Sequence, residues 1–235
     1  MNLTIDIGNT AAKWALFDER VLVKASCCSL EAIETDAVEK ALICASGNMT
    51  SCESWLSNFN FKFSILNSET PLPIRLDYKT PQTLGADRVA AACGAWSLHP
   101  GEASLIVDAG TCITVDYLNA DGVYHGGAIM PGLKMSLQAL NTFTAKLPLV
   151  DIDNIEKALV IGRSTEESIV AGTLGATMLA LAGFVAMYKE KNPALNVLLT
   201  GGDAERLTRA GATGWELQPT LTLQGLNEIM IYNEE

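Results

Sequence analysis

The chain has 235 residues, of which 49% are hydrophobic and 18% charged, and its formal net charge is −11. That is enough apolar chain for one large domain or two ordinary ones, and it excludes a disordered or solvating segment. A phosphate-backbone binder needs a basic face, so the acidity argues against nucleic acid as a main partner. Phosphates, if handled, would have to be met by backbone N–H groups, a bound cation and a few placed Lys or Arg. The chain has only two His, His99 and His125, which excludes a His-rich metal site. Its six Cys (27, 28, 44, 52, 93 and 112) form neither a CxxC pair nor a zinc-ligand spacing. They read as buried, reduced thiols of a cytoplasmic protein. The N-terminus lacks a basic stretch and reaches an acid at Asp6, which does not read as a signal peptide.

In chain order, Leu3–Ile7 and Ala12–Phe17 predict two strands joined by the polar turn Gly8-Asn9-Thr10. Val21–Ser26 predicts a third strand, Ala41–Ala45 a short buried one, and Phe61–Leu66 an edge strand. Helices are expected near Leu30–Lys40 and Cys52–Phe59. Residues 67–81 carry three Pro and read as a loop, followed by a helix over Ala86–Leu98 that stops at His99-Pro100-Gly101. Strands return at Leu105–Thr111 and Ile113–Leu118, and Gly126–Gly132 reads as a glycine-rich turn between a strand and a helix. Ser164 and Glu167 fit a capping box before Ile169–Tyr188, twenty residues without a charge. That segment has the length of a membrane span, but its Ala and Gly content and its lack of basic flanks favour a buried helix. Near the end, an apolar run at Asn196–Leu199 precedes Gly201-Gly202-Asp203 and a helix from Ala204.

Two segments repeat. Leu3 to Thr10 and Leu105 to Thr111 both read strand, Asp-x-Gly, turn, strand, with Asp6 and Asp108 in matching places. A unit of this kind occurring twice predicts two similar α/β halves, residues 1–102 and 103–235.

The chemistry is sought at carboxylates on turns, because the chain has no P-loop, no dinucleotide fingerprint, no GxSxG and no HExxH. An acid at Asp6, closing a buried strand, costs several kcal/mol of desolvation unless it meets a cation or donors. Gly8 would let the backbone approach a ligand, Asn9 and Thr10 add polar groups, and Lys13 could reach the same phosphates. The competing reading makes Asp6 the start of an Asx turn. Asp87 at the start of a helix could be a plain N-terminal acid favoured by the dipole, or could work with Arg88 on a substrate.

Taken together, Asp6-Ile7-Gly8-Asn9-Thr10 with Lys13, Gly85-Ala86-Asp87-Arg88, Asp108-Ala109-Gly110-Thr111 and Gly126-Gly127 through Pro131-Gly132 resemble the motifs of a type III pantothenate kinase. Thr144 to Pro148, Ser164-Thr165 through Gly172, Thr200 to Ala204 and Leu223 to Leu226 extend the resemblance over almost the whole chain. That family belongs to the acetate and sugar kinase/Hsp70/actin superfamily. The resemblance implies an α/β actin-like ATPase fold, two ribonuclease-H-like halves with a cleft between them. It also implies ATP-dependent phosphorylation of pantothenate to 4′-phosphopantothenate, the first step towards coenzyme A. By position, Asp6, Ile7, Gly8, Asn9, Thr10, Ala11, Ala12 and Lys13 would line the ATP phosphates with Mg²⁺, and Thr111 would touch ATP. Asp108 would help hold a monovalent cation, potassium or ammonium. Asp87 would be the general base, and Tyr78, Gly85, Ala86, Arg88 and Thr165 would contact pantothenate. Relatives are homodimers whose substrate pocket uses the subunit interface; no nucleic acid or membrane partner is expected. Where relatives carry a His before the last Pro and strand, this chain has Trp215 to Pro219 with no His. The alternatives are another small-molecule kinase of the superfamily and a non-catalytic nucleotide-binding regulator.

Overall fold

A computed structural model describes residues 1–27, 30, 33, 35–46, 55, 61–155 and 157–234. Its strands are β1 (Asn2–Ile7), β2 (Ala12–Asp18), β3 (Val21–Ser26), β4 (Lys40–Ala45), β5 (Lys62–Ile65), β6 (Arg75–Leu76), β7 (Ser104–Ala109), β8 (Cys112–Leu118), β9 (Val123–Pro131), β10 (Asn196–Thr200) and β11 (Glu216–Leu217). The helices are α1 (Ala86–Leu98), α2 (Leu133–Thr142), α3 (Thr165–Val170), α4 (Ala176–Lys191), α5 (Ala204–Ala210) and α6 (Leu221–Tyr232).

The chain divides into two compact units. The first comprises Met1–Glu102, Leu118–Gly126 and Thr220–Glu235; the second comprises Ala103–Tyr117 and Gly127–Pro219. The contiguous spans 1–102 and 103–235 therefore differ from the compact units by two segments, one of which carries α6.

In the first unit the sheet runs β3-β2-β1-β4-β5. β1 pairs antiparallel with β2 and parallel with β4, and β4 pairs parallel with β5. β1 is buried along almost its whole length, as the apolar run Leu3, Ile5, Ile7 requires of a central strand, whereas β3 and β5 at the edges are exposed. Leu3, Ile5, Trp14, Ile43 and Trp55 pack on one side. On α1 the run from Arg88 to Ala95 is buried. Side chains as small as Ala90, Ala91 and Gly94 let a neighbouring helix come close, and α6 does so at Gly225, next to Ala90 and Gly94.

The second unit repeats the plan. Its strands run β9-β8-β7-β10-β11, with β7 parallel to β10 and β10 parallel to β11. Read against β3-β2-β1-β4-β5, β7 takes the place of β1 and β10 that of β4. The first residues of β9, which belong to the first unit, pair with β6. Leu105, Val107, Ile113, Leu133, Leu174, Leu181, Leu199 and Leu207 form this unit's core.

Several expectations need correction. Leu30 lies in a 3₁₀ turn, but residues 35–39 are not helical: Asp36 and Ala37 form a turn and Lys40 already opens β4, so the expected helix over Leu30–Lys40 does not reach its end. The expected helix at Cys52–Phe59 lies, apart from Trp55, outside the described residues. The loop after Asn67 contains the short strand β6. Gly126 to Pro131 are strand rather than turn, because Gly127 lets β9 lie against the backbone of Val115 and Asp116 where a Cβ would collide. The uncharged stretch is helical from Thr165 to Lys191, but it is broken by a π turn at Ala171–Gly175. By length and composition this run could cross a membrane, but in the fold it is only partly buried. Thr177, Leu181 and Val185 face the core, while Leu179 and Met187 are exposed. Among the described cysteines, Cys44 and Cys93 are buried but Cys27 and Cys112 are exposed.

Candidate active site

Asp6 lies one residue before the end of β1, with Lys13 as its register partner on β2 and Cys44 as its partner on β4. Register partners share a face of the sheet, so an acid, a cation and a thiol meet where the strands end. Burial drives the Asp6 carboxyl up to about 6; Lys13 pulls it down, Asp87 pushes it up, and a hydrogen bond from Cys44 lowers it again. Asp87 is thus close enough for its charge to be felt at Asp6, although 81 residues separate them in sequence. The structure brings together the two acids that sequence had put on separate motifs.

The turn after Asp6 is tight. Gly8 N–H donates to the Ala11 carbonyl at 3.1 Å, and Ser46 N–H donates to the Ile7 carbonyl at 3.0 Å. Ile7 is buried, Gly8 and Ala12 are half-buried, and Asn9, Thr10 and Ala11 are exposed. The turn therefore presents its backbone at the surface beside a half-buried carboxylate.

Asp87 occupies the second position of α1, and its Oδ1 accepts the Arg88 N–H at 2.9 Å. The same N–H also donates to the Gly85 carbonyl at 3.1 Å, and this shared bond holds the carboxylate at the helix start. A side chain at Gly85 would run into that carboxylate. Ala86 is half-buried and Arg88 is 7% exposed. Tyr78 belongs to the same unit, its ring 6.2 Å from that of Tyr124. The ring also lies 3.0 Å from the point where Gly126 would carry a Cβ; Gly126 has φ +84°, so a side chain is unfavourable there on both counts.

In the second unit, Asp108 holds the place of Asp6 and pairs in register with Thr200 of β10. Gly201 follows at φ +96°, packed so tightly on the Asp108 carboxylate and the Ala109 carbonyl that no side chain fits. The Asp203 N–H donates to the Ala109 carbonyl at 2.9 Å, and the Gly132 N–H to that of Thr111 at 3.1 Å. Thr111 is exposed, and so is Thr165, the first residue of α3. Ser164 Oγ caps that helix through the Glu167 N–H at 3.1 Å. The other arm of the predicted capping box is displaced by one residue, because Glu167 Oε2 accepts from the Arg163 N–H at 2.6 Å. Arg206 ties the start of α5 to an earlier segment, donating to the Ile152 carbonyl at 2.6 Å, to Asp153 at 2.8 Å and to Asp203 at 3.3 Å.

Sequence reasoning missed Cys44, Arg206 and the His125–Asp77 pair. Cys44 read as an inert thiol, and only the β1–β4 register reveals its contact with Asp6.

Among the described residues no group of three His, Cys, Asp or Glu could cage a metal ion. One half-buried carboxylate beside a turn suits Mg²⁺, which is bound through one or two carboxylates, waters and substrate phosphates rather than by a full protein cage.

The sequence profile of the type III pantothenate kinase family matches residues 37–187. The type III pantothenate kinase of Phocaeicola vulgatus is 39% identical over 100% of both chains. The chain belongs to the type III pantothenate kinase family. Solved structures agree on the fold of this pantothenate kinase family member. A Campylobacter jejuni protein described as a Baf family transcriptional activator matches with TM-score 0.65 and 21% identity, over 99% of this chain and 98% of the other. The ADPNP-bound activator of the 2-hydroxyisocaproyl-CoA dehydratase from Clostridium difficile matches with TM-score 0.55 and 16% identity, over 98% and 93%. The fold is the two-sheet actin-like ATPase fold.

Proposed function

We propose that this type III pantothenate kinase transfers the terminal phosphoryl group of ATP to the primary hydroxyl of pantothenate, yielding ADP and 4′-phosphopantothenate. The observation that carries the reading is the electrostatic coupling of Asp6 and Asp87, with Lys13 opposite Asp6 on the neighbouring strand. Two acids that feel each other's charge have distinct tasks in such a reaction. Asp87, held at the helix start, accepts the hydroxyl proton as the oxygen attacks phosphorus and ADP leaves. Asp6 and the turn of Ile7, Gly8, Asn9, Thr10, Ala11 and Ala12, with Lys13, hold the phosphates and the Mg²⁺ that accompanies them. When bound, that Mg²⁺ neutralises phosphate charge. Phosphoryl transfer asks mainly for positioning and charge stabilisation, which explains how an acidic chain can handle ATP.

The remaining assignments follow the family motifs. Asp108 helps hold a potassium or ammonium ion and Thr111 touches ATP; Tyr78, Gly85, Ala86, Arg88 and Thr165 contact pantothenate. The repeated strand order supports reading the chain as two ribonuclease-H-like halves, 1–102 and 103–235 in sequence. We place the protein in the cytoplasm as a homodimer. Mass spectrometry of a reaction holding ATP, Mg²⁺ and pantothenate tests the reading directly. Phosphorylated pantothenate is expected, and its absence with folded protein would falsify it.

A further inference from the structure

We infer that His125 is a positioning residue for Tyr78, acting through a hydrogen-bonded chain Asn119–His125–Asp77 that fixes the imidazole in one neutral tautomer. The inference rests on reading Tyr78 as a pantothenate contact.

The chain starts at the turn between β8 and β9. There Asn119 Oδ1 accepts two backbone N–H groups, from Asp121 at 3.0 Å and from Val123 at 2.9 Å. Those two donors settle which end of the amide is oxygen, so the Nδ2 donor end faces outward, 3.2 Å from His125 Nε2. A donor facing Nε2 requires Nε2 to be the acceptor. The proton then sits on Nδ1, which lies 2.9 Å from Asp77 Oδ2 and donates to it. The free imidazole's choice between tautomers is thereby removed by its neighbours.

The backbone reinforces the arrangement. Asp77 N–H donates to the Tyr124 carbonyl at 2.9 Å, and Arg75 N–H to the Gly122 carbonyl at 2.8 Å. His125 therefore sits between the two residues that bracket Tyr78, with the Tyr124 ring on one side and the close approach at Gly126 on the other. Residue 77, tied by main chain and side chain to β9, leaves the next residue little freedom. The bond between His125 and Asp77 is exposed, so its energetic weight is small and its consequence is geometric.

The test has two arms. With only His99 and His125 in the chain, a long-range ¹H–¹⁵N spectrum of the full protein, assigned with His99→Gln, should show His125 as the Nδ1–H tautomer at neutral pH. An Nε2–H tautomer overturns the inference whatever the activity. In steady-state kinetics, His125→Ala and Asp77→Ala should raise KM for pantothenate by about two- to tenfold, the worth of one hydrogen bond. kcat and Mg·ATP affinity should be unchanged, while Asp77→Asn, whose amide oxygen still accepts from Nδ1–H, should restore the wild-type KM. Equal losses in kcat and KM, or no rescue by Asp77→Asn, would overturn it. Failure of the wild type to phosphorylate pantothenate would strike the functional reading and leave the tautomer result standing.

Discussion

Gly225 of α6 lies directly on the main chain of α1, where any side chain would collide with the carbonyl of Ala90, and Gly94 meets the Leu221 carbonyl of α6 in the same way. Two helices can approach so closely only where both lack side chains. Because α1 begins with Asp87, this packing also fixes where the proposed base stands.

Gly225→Ala should therefore destabilise the fold by about 1–3 kcal/mol, the usual cost of forcing an added group into a packed contact. Urea unfolding followed by circular dichroism measures it. A variant as stable as the parent would show that the two helices separate without cost.

Asp6 should make stability depend on pH. Its carboxyl is held up at about 6 against an ordinary 3.8, so the folded state binds the proton more tightly than the unfolded one. Stability is full below about 3.8, falls as pH rises through 6, and is flat above. The loss is about 2–3 kcal/mol for a shift of this size. Asp6→Asn should raise the melting temperature of the ligand-free protein at pH 7, with the gain gone at pH 4. A pH-independent gain would contradict the assignment.

The roles of the two acids separate in kinetics. Asp87→Asn keeps an oxygen to accept the Arg88 N–H but removes the proton acceptor, so kcat should fall about 10²–10⁴-fold while nucleotide binding survives. Asp6→Asn should instead weaken Mg·ATP binding or raise the metal requirement. If Asp87→Asn costs only about 0.3–1 kcal/mol of stability and leaves turnover alone, Asp87 is simply a helix-start acid.

Much of this was legible in sequence because it is local. The Asp6 turn, α1 from Ala86 to Leu98, the Ser164 cap and the glycines after β10 each announce themselves within a few residues. The contacts across the chain were not. Gly225 had no visible purpose until its neighbour Ala90 was known, and Cys44 reaches Asp6 only through the parallel register. The Gly126–Pro131 run read as a turn because glycine usually marks one, whereas here Gly127 serves the close approach of β9 to β8. The stretch before β4 looked helical by composition, yet residues 35–39 form a turn that hands the chain to a strand.

At Asp108, replacing sodium by potassium or ammonium at equal ionic strength should raise the initial rate. The carboxylate is packed against Gly201 at φ +96°, so Gly201→Ala should abolish the difference between salts along with much of the activity. A response identical in all three salts for the wild type would remove the cation role.

Ile129 and Met135 are exposed, on and near the start of α2, and Phe143 just beyond that helix is more exposed still. An apolar face of this kind suits a second copy of the chain. Light scattering should give twice the 25.1 kDa chain mass, and a species at the single-chain mass at working concentration would contradict the homodimer.

Because α6 belongs to the first unit, that unit is completed only after the intervening second unit has been synthesised. Asn2 donates to Asn227, and Arg20 pairs with Glu228, bonds spanning more than two hundred residues. Until residues 220–235 are synthesised, the glycine-lined side of α1 has no helix to receive and the strand that carries Asp6 lacks its cover. A ribosome stalled anywhere in the second unit would thus expose an unfinished surface in the first, and a chain lacking α6 should lose the Asp6–Asp87 site although every residue of that site is present.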